Sequence, residues 1–203
     1  AIFGALQKGR HDPWVSRAAI DIAIVILALP VALFLAPWPE PVLWPIFVGM
    51  VVIHIGYKLS QAMTYQRGAY TVVYPVVRGT GPLVTVIMAS IVFNERYNLT
   101  QWLGVATLVA GILGLAAYNY RKLDVGRETL VPALIWAAIT GIFVAAYTTY
   151  DAWGIRQAAN PLTFLAWFFL LDGLFMPLFA RHRLVLLPRA EWRGLAIRGV
   201  IGA

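Results

Sequence analysis

The chain has 203 residues, of which 61% are hydrophobic and 12% charged, with a formal net charge of +7 and no cysteine. Soluble domains run at roughly 45–50% apolar and 25% charged, so these side chains exceed what one aqueous core can hide, and the chain reads as an integral membrane protein. Disulfides, thiolate metal sites and cysteine nucleophiles are excluded. The basic residues lie in short clusters between apolar runs, which argues against nucleic acid as a partner, and His11, His54 and His182 are too dispersed to form a helical metal pair, so no metal site is expected.

Ala1 to Leu6 is a short apolar stub, and another apolar stretch opens at Leu195 and stops at Ala203, so both ends read as cut. Between them, hydropathy predicts six spans: Ser16–Ala36, Leu43–Tyr65, Ala69–Phe93, Leu99–Tyr118, Thr129–Trp153 and Leu162–Ala180. Trp14, Trp38, Trp44, Trp102, Trp153 and Trp192 lie near these boundaries, where amphipathic rings sit at the headgroup level. With loops assigned alternately to the two sides, 11 of the 16 Lys and Arg fall on one side, 2 (Arg96 and Arg156) on the other, and 3 (Lys58, Arg78 and Arg198) within apolar stretches, 11 + 2 + 3 = 16. The positive-inside rule makes the first side cytoplasmic.

Asp12-Pro13 followed by Pro30, and Asn160-Pro161 followed by Pro177, form an internal echo at an offset of 148 (161 − 13). Five spans separate the two turns, an odd number, so equivalent turns fall on opposite faces, as in an inverted repeat. Asx-Pro is also simply a good turn starter.

Several spans carry polar residues that lipid would not accept. His54, Lys58, Gln61 and Tyr65 share one helical face; Lys58 is close enough to the end of its span either to snorkel to the surface or to contact a substrate. The span from Ala69 to Phe93 carries Tyr74, Pro75, Arg78, Gly79, Gly81 and Pro82 near its middle, which predicts a helix break facing protein or a wet cavity. Arg78 lies ten residues beyond Gly68, or roughly 15 Å along a helix, too deep to snorkel and unable to neutralise itself. It is expected to point inward and meet an acceptor, with Gly79 and Gly81 leaving room for a ligand and Tyr74 one turn away. Gly104, Thr107, Gly111 and Gly114 form a ridge of small side chains suited to packing within the bundle or between subunits of a homodimer. Thr140, Tyr147 and Asp151 recur at helical spacing, with Asp151 read as a capping or interfacial group. Asp172, mid-span, is a proton-coupling candidate, a neutral hydrogen-bonded acid or the buried partner of Arg78.

YPVVRGTGPL (Tyr74 to Leu83), FNER (Phe93 to Arg96) and QWLGVATLVAGILGLA (Gln101 to Ala116) together resemble the EamA branch of the drug/metabolite transporter superfamily. The resemblance implies an all-α, multi-pass helical bundle of ten helices in two inverted five-helix halves. Residues 1–120 would form the first repeat with its first helix truncated, and 121–203 an incomplete second. It further implies a cell (inner) membrane transporter that exports or exchanges a small polar metabolite through a central cavity, without a cofactor and without enzymatic turnover. The cavity candidates are His54, Lys58, Tyr74, Arg78, Gly79, Tyr147 and Asp172. The alternative is a non-transporting membrane subunit or lipid-handling scaffold in a larger complex. Two departures stand out: Asn94 occupies a position that is commonly glycine in the family, and the loop charges place the N-terminal end outside, whereas members are usually drawn with both ends in the cytoplasm.

Overall fold

The computed structural model describes residues 12–122, 127–186 and 188–202, and all regular structure among them is helical. In chain order the helices are α1 (Pro13–Pro30), continued by a π-helical turn (Val31–Leu35), α2 (Leu43–Arg67), α3 (Tyr70–Val92), α4 (Leu99–Lys122), α5 (Arg127–Ile155), α6 (Pro161–Phe179), α7 (Arg181–Val185) and α8 (Arg189–Gly202). Five are long and apolar enough to cross a membrane; α4, the predicted fourth span, contributes the shorter apolar stretch Leu99–Leu115, roughly 25 Å at about 1.5 Å per residue. Large side chains such as Phe34, Ile91 and Leu99 are more than 70% exposed, which suits a lipid surround and no aqueous one.

The chain divides into two compact units. One takes the chain up to Ile55 together with everything from Asp151 onward; the other is Gly56–Tyr150. In the first unit, α1 and α6 pack antiparallel. Leu27 and Ala28, late in α1, and Val31, at the start of the π-helical turn, share a groove with Leu162, Leu165 and Ala166, early in α6, while Ala180 beyond the end of α6 joins Val15, Ala18 and Ala19 in a core. Their starts are built alike. Asp12 Oδ1 accepts from the Trp14 N–H at 2.9 Å and Asn160 Oδ1 from the Leu162 N–H at 2.9 Å, each with proline at the first helical position, where the missing N–H costs nothing. At the 148-residue offset Val25 corresponds to Gly173 (25 + 148), and these two residues meet: a Cβ on Gly173 would lie 2.6 Å from Val25 Cγ2 and 2.9 Å from the Asp21 carbonyl. The two helices therefore cross closely at this point.

In the second unit, α3 packs along α4. The predicted break in α3 does not occur: the helix runs unbroken from Tyr70 to Val92, with Pro75 and Pro82 inside it. Each proline removes a single donor, opposite the carbonyls of Thr71 and Arg78, and its fixed φ is already helical, so the rest of the ladder holds. Gly79 and Gly81 also do not open ligand space. A Cβ on Gly79 would meet Leu113 at 3.2 Å and one on Gly81 would meet Val144 at 3.3 Å, so their small size serves helix contact. The ridge on α4 behaves differently: among the described residues nothing lies within 4 Å of where Cβ atoms would stand on Gly104, Gly111 and Gly114.

The turn after α3 contains a left-handed residue. Asn94 has φ 53°, a left-handed conformation that glycine adopts freely and asparagine better than most other residues. Asn98 and Gln101 then cap α4 reciprocally, the Asn98 N–H donating to Gln101 Oε1 at 2.8 Å and the Gln101 N–H to Asn98 Oδ1 at 2.9 Å. Between Asn94 and Asn98 the Tyr97 phenol donates to Glu95 at 2.6 Å, which holds its proton above the usual tyrosine range.

Gly173→Ala is expected to lower the thermal midpoint of the detergent-solubilised protein, since overpacking at a tight contact costs about 1–3 kcal/mol and one neighbour here is backbone. An unchanged midpoint would remove the close α1–α6 crossing.

Candidate functional site

α2, α5 and α6 converge in the first unit on one imidazole. His54 lies 11 residues into α2 (54 − 43) and Asp172 11 residues into α6 (172 − 161), roughly 17 Å from each helix start and therefore deep in the bilayer. His54 Nδ1 stands 3.2 Å from Asp172 Oδ1, and its Nε2 stands 2.9 Å from Asp151 Oδ2. The side chains of His54 and Asp172 are each 8% exposed and that of Asp151 20%. Phe168, one turn before Asp172, presses edge-on to the imidazole with ring centroids 5.2 Å apart, and Phe164 stacks on Phe168 at 6.1 Å.

Proton counting constrains this arrangement. A neutral imidazole donates at one nitrogen only, and a carboxylate cannot donate at all. Both contacts are hydrogen bonds only if the cluster holds one proton more than a neutral imidazole and two carboxylates carry. That proton is shared either as imidazolium between two carboxylates or as a carboxylic acid facing a neutral ring. Two anions side by side at this depth would be costly without it. Lys58, one turn further along α2, belongs to the second unit and is 1% exposed. Asp151 is four residues from the end of α5 (155 − 151), so the line Asp172–His54–Asp151 leads from the membrane interior toward one surface.

Asp151 is the member that sequence reading did not assign. Its signal was the Tyr147–Asp151 spacing of four on α5, which puts both on one face. Beside it is a cavity of about 220 Å³ walled by residues of α5 and α6, and Asp151 Oδ1 is buried without a hydrogen-bond partner among the described residues.

The other predicted residues lie in the second unit. Arg78 Nε donates to the Tyr74 hydroxyl at 3.1 Å with the guanidinium 5.3 Å from the Tyr74 ring centroid, and Tyr74 stacks on Tyr70 at 4.7 Å. Arg78 is exposed, and the acceptor it meets is the hydroxyl one turn back on its own helix. Asp172, which was read as its potential partner, meets His54. Tyr147 packs on Tyr57 at 4.9 Å, and the Tyr57 hydroxyl accepts from Gln61 Nε2. Thr64 and Thr140, both fully buried, share a hydrogen bond of 2.9 Å.

A sequence model of the EamA-like transporter family matches residues 2–117, which is 116 of the 203 residues (117 − 2 + 1). The chain belongs to the EamA-like transporter family. With its apolar helices of bilayer length, the chain is a multi-pass membrane protein. Among curated proteins, the uncharacterised protein y4nH of Sinorhizobium fredii is 35% identical over 74 residues, a stretch covering 36% of this chain and 63% of that protein. No solved structure matches. His54 lies within the part matched by the family model, while Asp151 and Asp172 lie beyond it.

Replacing Asp172 separates charge from hydrogen bonding. Asp172→Asn keeps an acceptor for His54 and is expected to shift the thermal midpoint little. Asp172→Leu leaves a buried ring N–H unpaired, at a cost of about 1–3 kcal/mol, and should lower the midpoint by several degrees more. Equal midpoints for the two variants would show that the 3.2 Å contact does not hold the cluster.

Proposed function

We propose that the protein is a proton-coupled secondary transporter of the cell (inner) membrane, exporting or exchanging a small polar metabolite. The observation that supports this reading is the imidazole placed between two carboxylates at membrane depth, an arrangement that requires an added proton. Intramembrane ionisable groups of this kind belong to proton relays and substrate pathways. A transporter needs such a group to bind and release a proton as the substrate passes. In this reading Asp172 and His54 are the deep exchange pair, and Asp151 connects them toward the end of α5. By the loop charges that end faces away from the cytoplasm.

The architecture in the proposal is two inverted five-helix repeats, residues 1–120 and the incomplete 121–203. Its support is the matching Asx-Pro caps of α1 and α6 and the meeting of Val25 with Gly173. Within the second unit, Lys58, Tyr147 and the Tyr74–Arg78 pair are the polar groups proposed to contact substrate. No covalent chemistry on the substrate is invoked, and the open small-residue ridge of α4 is left to helix association, including a homodimer.

The test is a metabolite screen on the full-length protein in proteoliposomes, with internal pH read by a dye. Transported compounds are expected to drive proton movement, and His54→Ala and Asp172→Asn should each reduce that movement at least tenfold. Undiminished substrate-driven proton movement in both variants would contradict the proposal.

A further inference from the structure

We infer that the cavity beside Asp151 seats the transported substrate, and that this substrate is a small organic amine with an apolar body and no carboxylate of its own. The inference rests on the proposed role of the His54 cluster in coupling and names the substrate class for it.

The cavity is an open one of about 220 Å³, lined by Asp151, Ala152 and Ile155 from α5 and by Phe164, Leu165 and Phe168 from α6. Drug-sized sites enclose roughly 300–1,000 Å³, so the occupant is small. One carboxylate stands among five apolar side chains, two of them aromatic. The described lining offers no cationic group to receive a carboxylate or phosphate, which argues against organic anions and zwitterionic amino acids. An ammonium fits on two counts: phenyl faces attract cations, and Asp151 Oδ1 is a buried acceptor with no hydrogen-bond partner among the described residues. Burying an unmatched carboxylate oxygen is costly, and an N–H donor in the cavity removes that cost.

Charge placement leads to the same class. The titratable groups of this unit around the site are His54 on α2, Asp172 on α6 and Asp151 on α5, with Arg156 exposed just beyond the end of α5. With the shared proton in place, Asp151 Oδ2 already faces an imidazolium, and an ammonium at Oδ1 would be a second cation on the same carboxylate. Each cation weakens the hold on the other, so proton and ammonium compete for Asp151. Amine entry expels the proton, and proton entry expels the amine, which is the exchange a coupled antiporter performs.

The experiment uses the full-length protein in lipid nanodiscs, with phenethylammonium as probe and phenylacetate and phenylalanine as comparators, followed by titration calorimetry. Phenethylammonium is expected to bind. Its affinity should fall as pH is lowered, approaching tenfold per pH unit where the proton saturates the cluster, and should drop at least tenfold in Asp151→Asn. Leu165→Trp, which fills the cavity without touching the cluster, should also abolish binding and serves if Asp151→Asn does not fold. Binding that is insensitive to both replacements or to pH would overturn the inference, as would phenylalanine or phenylacetate binding as tightly as the amine. Amine binding that meets every expectation, with no substrate-driven proton movement in vesicles, would uphold the site and remove the transport reading instead.

Discussion

An imidazole with a carboxylate at each of its nitrogens can persist inside a membrane only if the three groups share a proton and are held together by helices that cannot easily separate. The first requirement is chemical, since His54, Asp151 and Asp172 have too few hydrogens between them to make both contacts unless one proton is added. The second is mechanical. Each member sits on a different helix, so the cluster exists only where α2, α5 and α6 approach closely.

The close approach is provided by small residues and by the geometry of helix starts. Gly173, next to Asp172 in sequence, lets α6 lie against the Asp21–Val25 turn of α1, and Gly154, three residues after Asp151, fits beneath Ile46 and Phe164, with the nearest atom 2.9 Å from where a Cβ would stand. Phe47 and Phe164, both buried and 5.4 Å apart, fill the next layer. The Asx caps at Asp12 and Asn160 set where α1 and α6 begin, and therefore the register at which Asp172 reaches His54. A buried charged group positioned by rigid helices is costly to hold and quick to respond to a change of one charge, which suits a coupling element better than a merely structural one.

Much of this was legible in the sequence, and the limits have physical causes. The spans follow from apolar runs of bilayer length, and the depth of His54 and Asp172 follows from counting along them. Their partnership does not, because residues 118 positions apart (172 − 54) meet only through helix packing that no local pattern encodes. Asp151 was discounted for lying near a helix end, although that position makes it a link between interior and surface. The motif around Arg78 was over-read. Two prolines and two glycines suggested a break, yet α3 tolerates the prolines and uses the glycines for contact, and Arg78 satisfies itself on Tyr74. The family's glycine at position 94 carried real conformational information, since Asn94 adopts the left-handed backbone that glycine would.

The central claim is that the His54 cluster gains and loses a proton within the bilayer. Nitrogen-15 NMR of the histidine ring in lipid nanodiscs tests it most directly, with His54 distinguished from His11 and His182 by its loss in His54→Gln. The account predicts ring signals in which both nitrogens are hydrogen-bonded, which change with pH, and whose pH response is altered by Asp151→Asn and by Asp172→Asn. Signals that stay constant across pH, or that ignore both replacements, would contradict it.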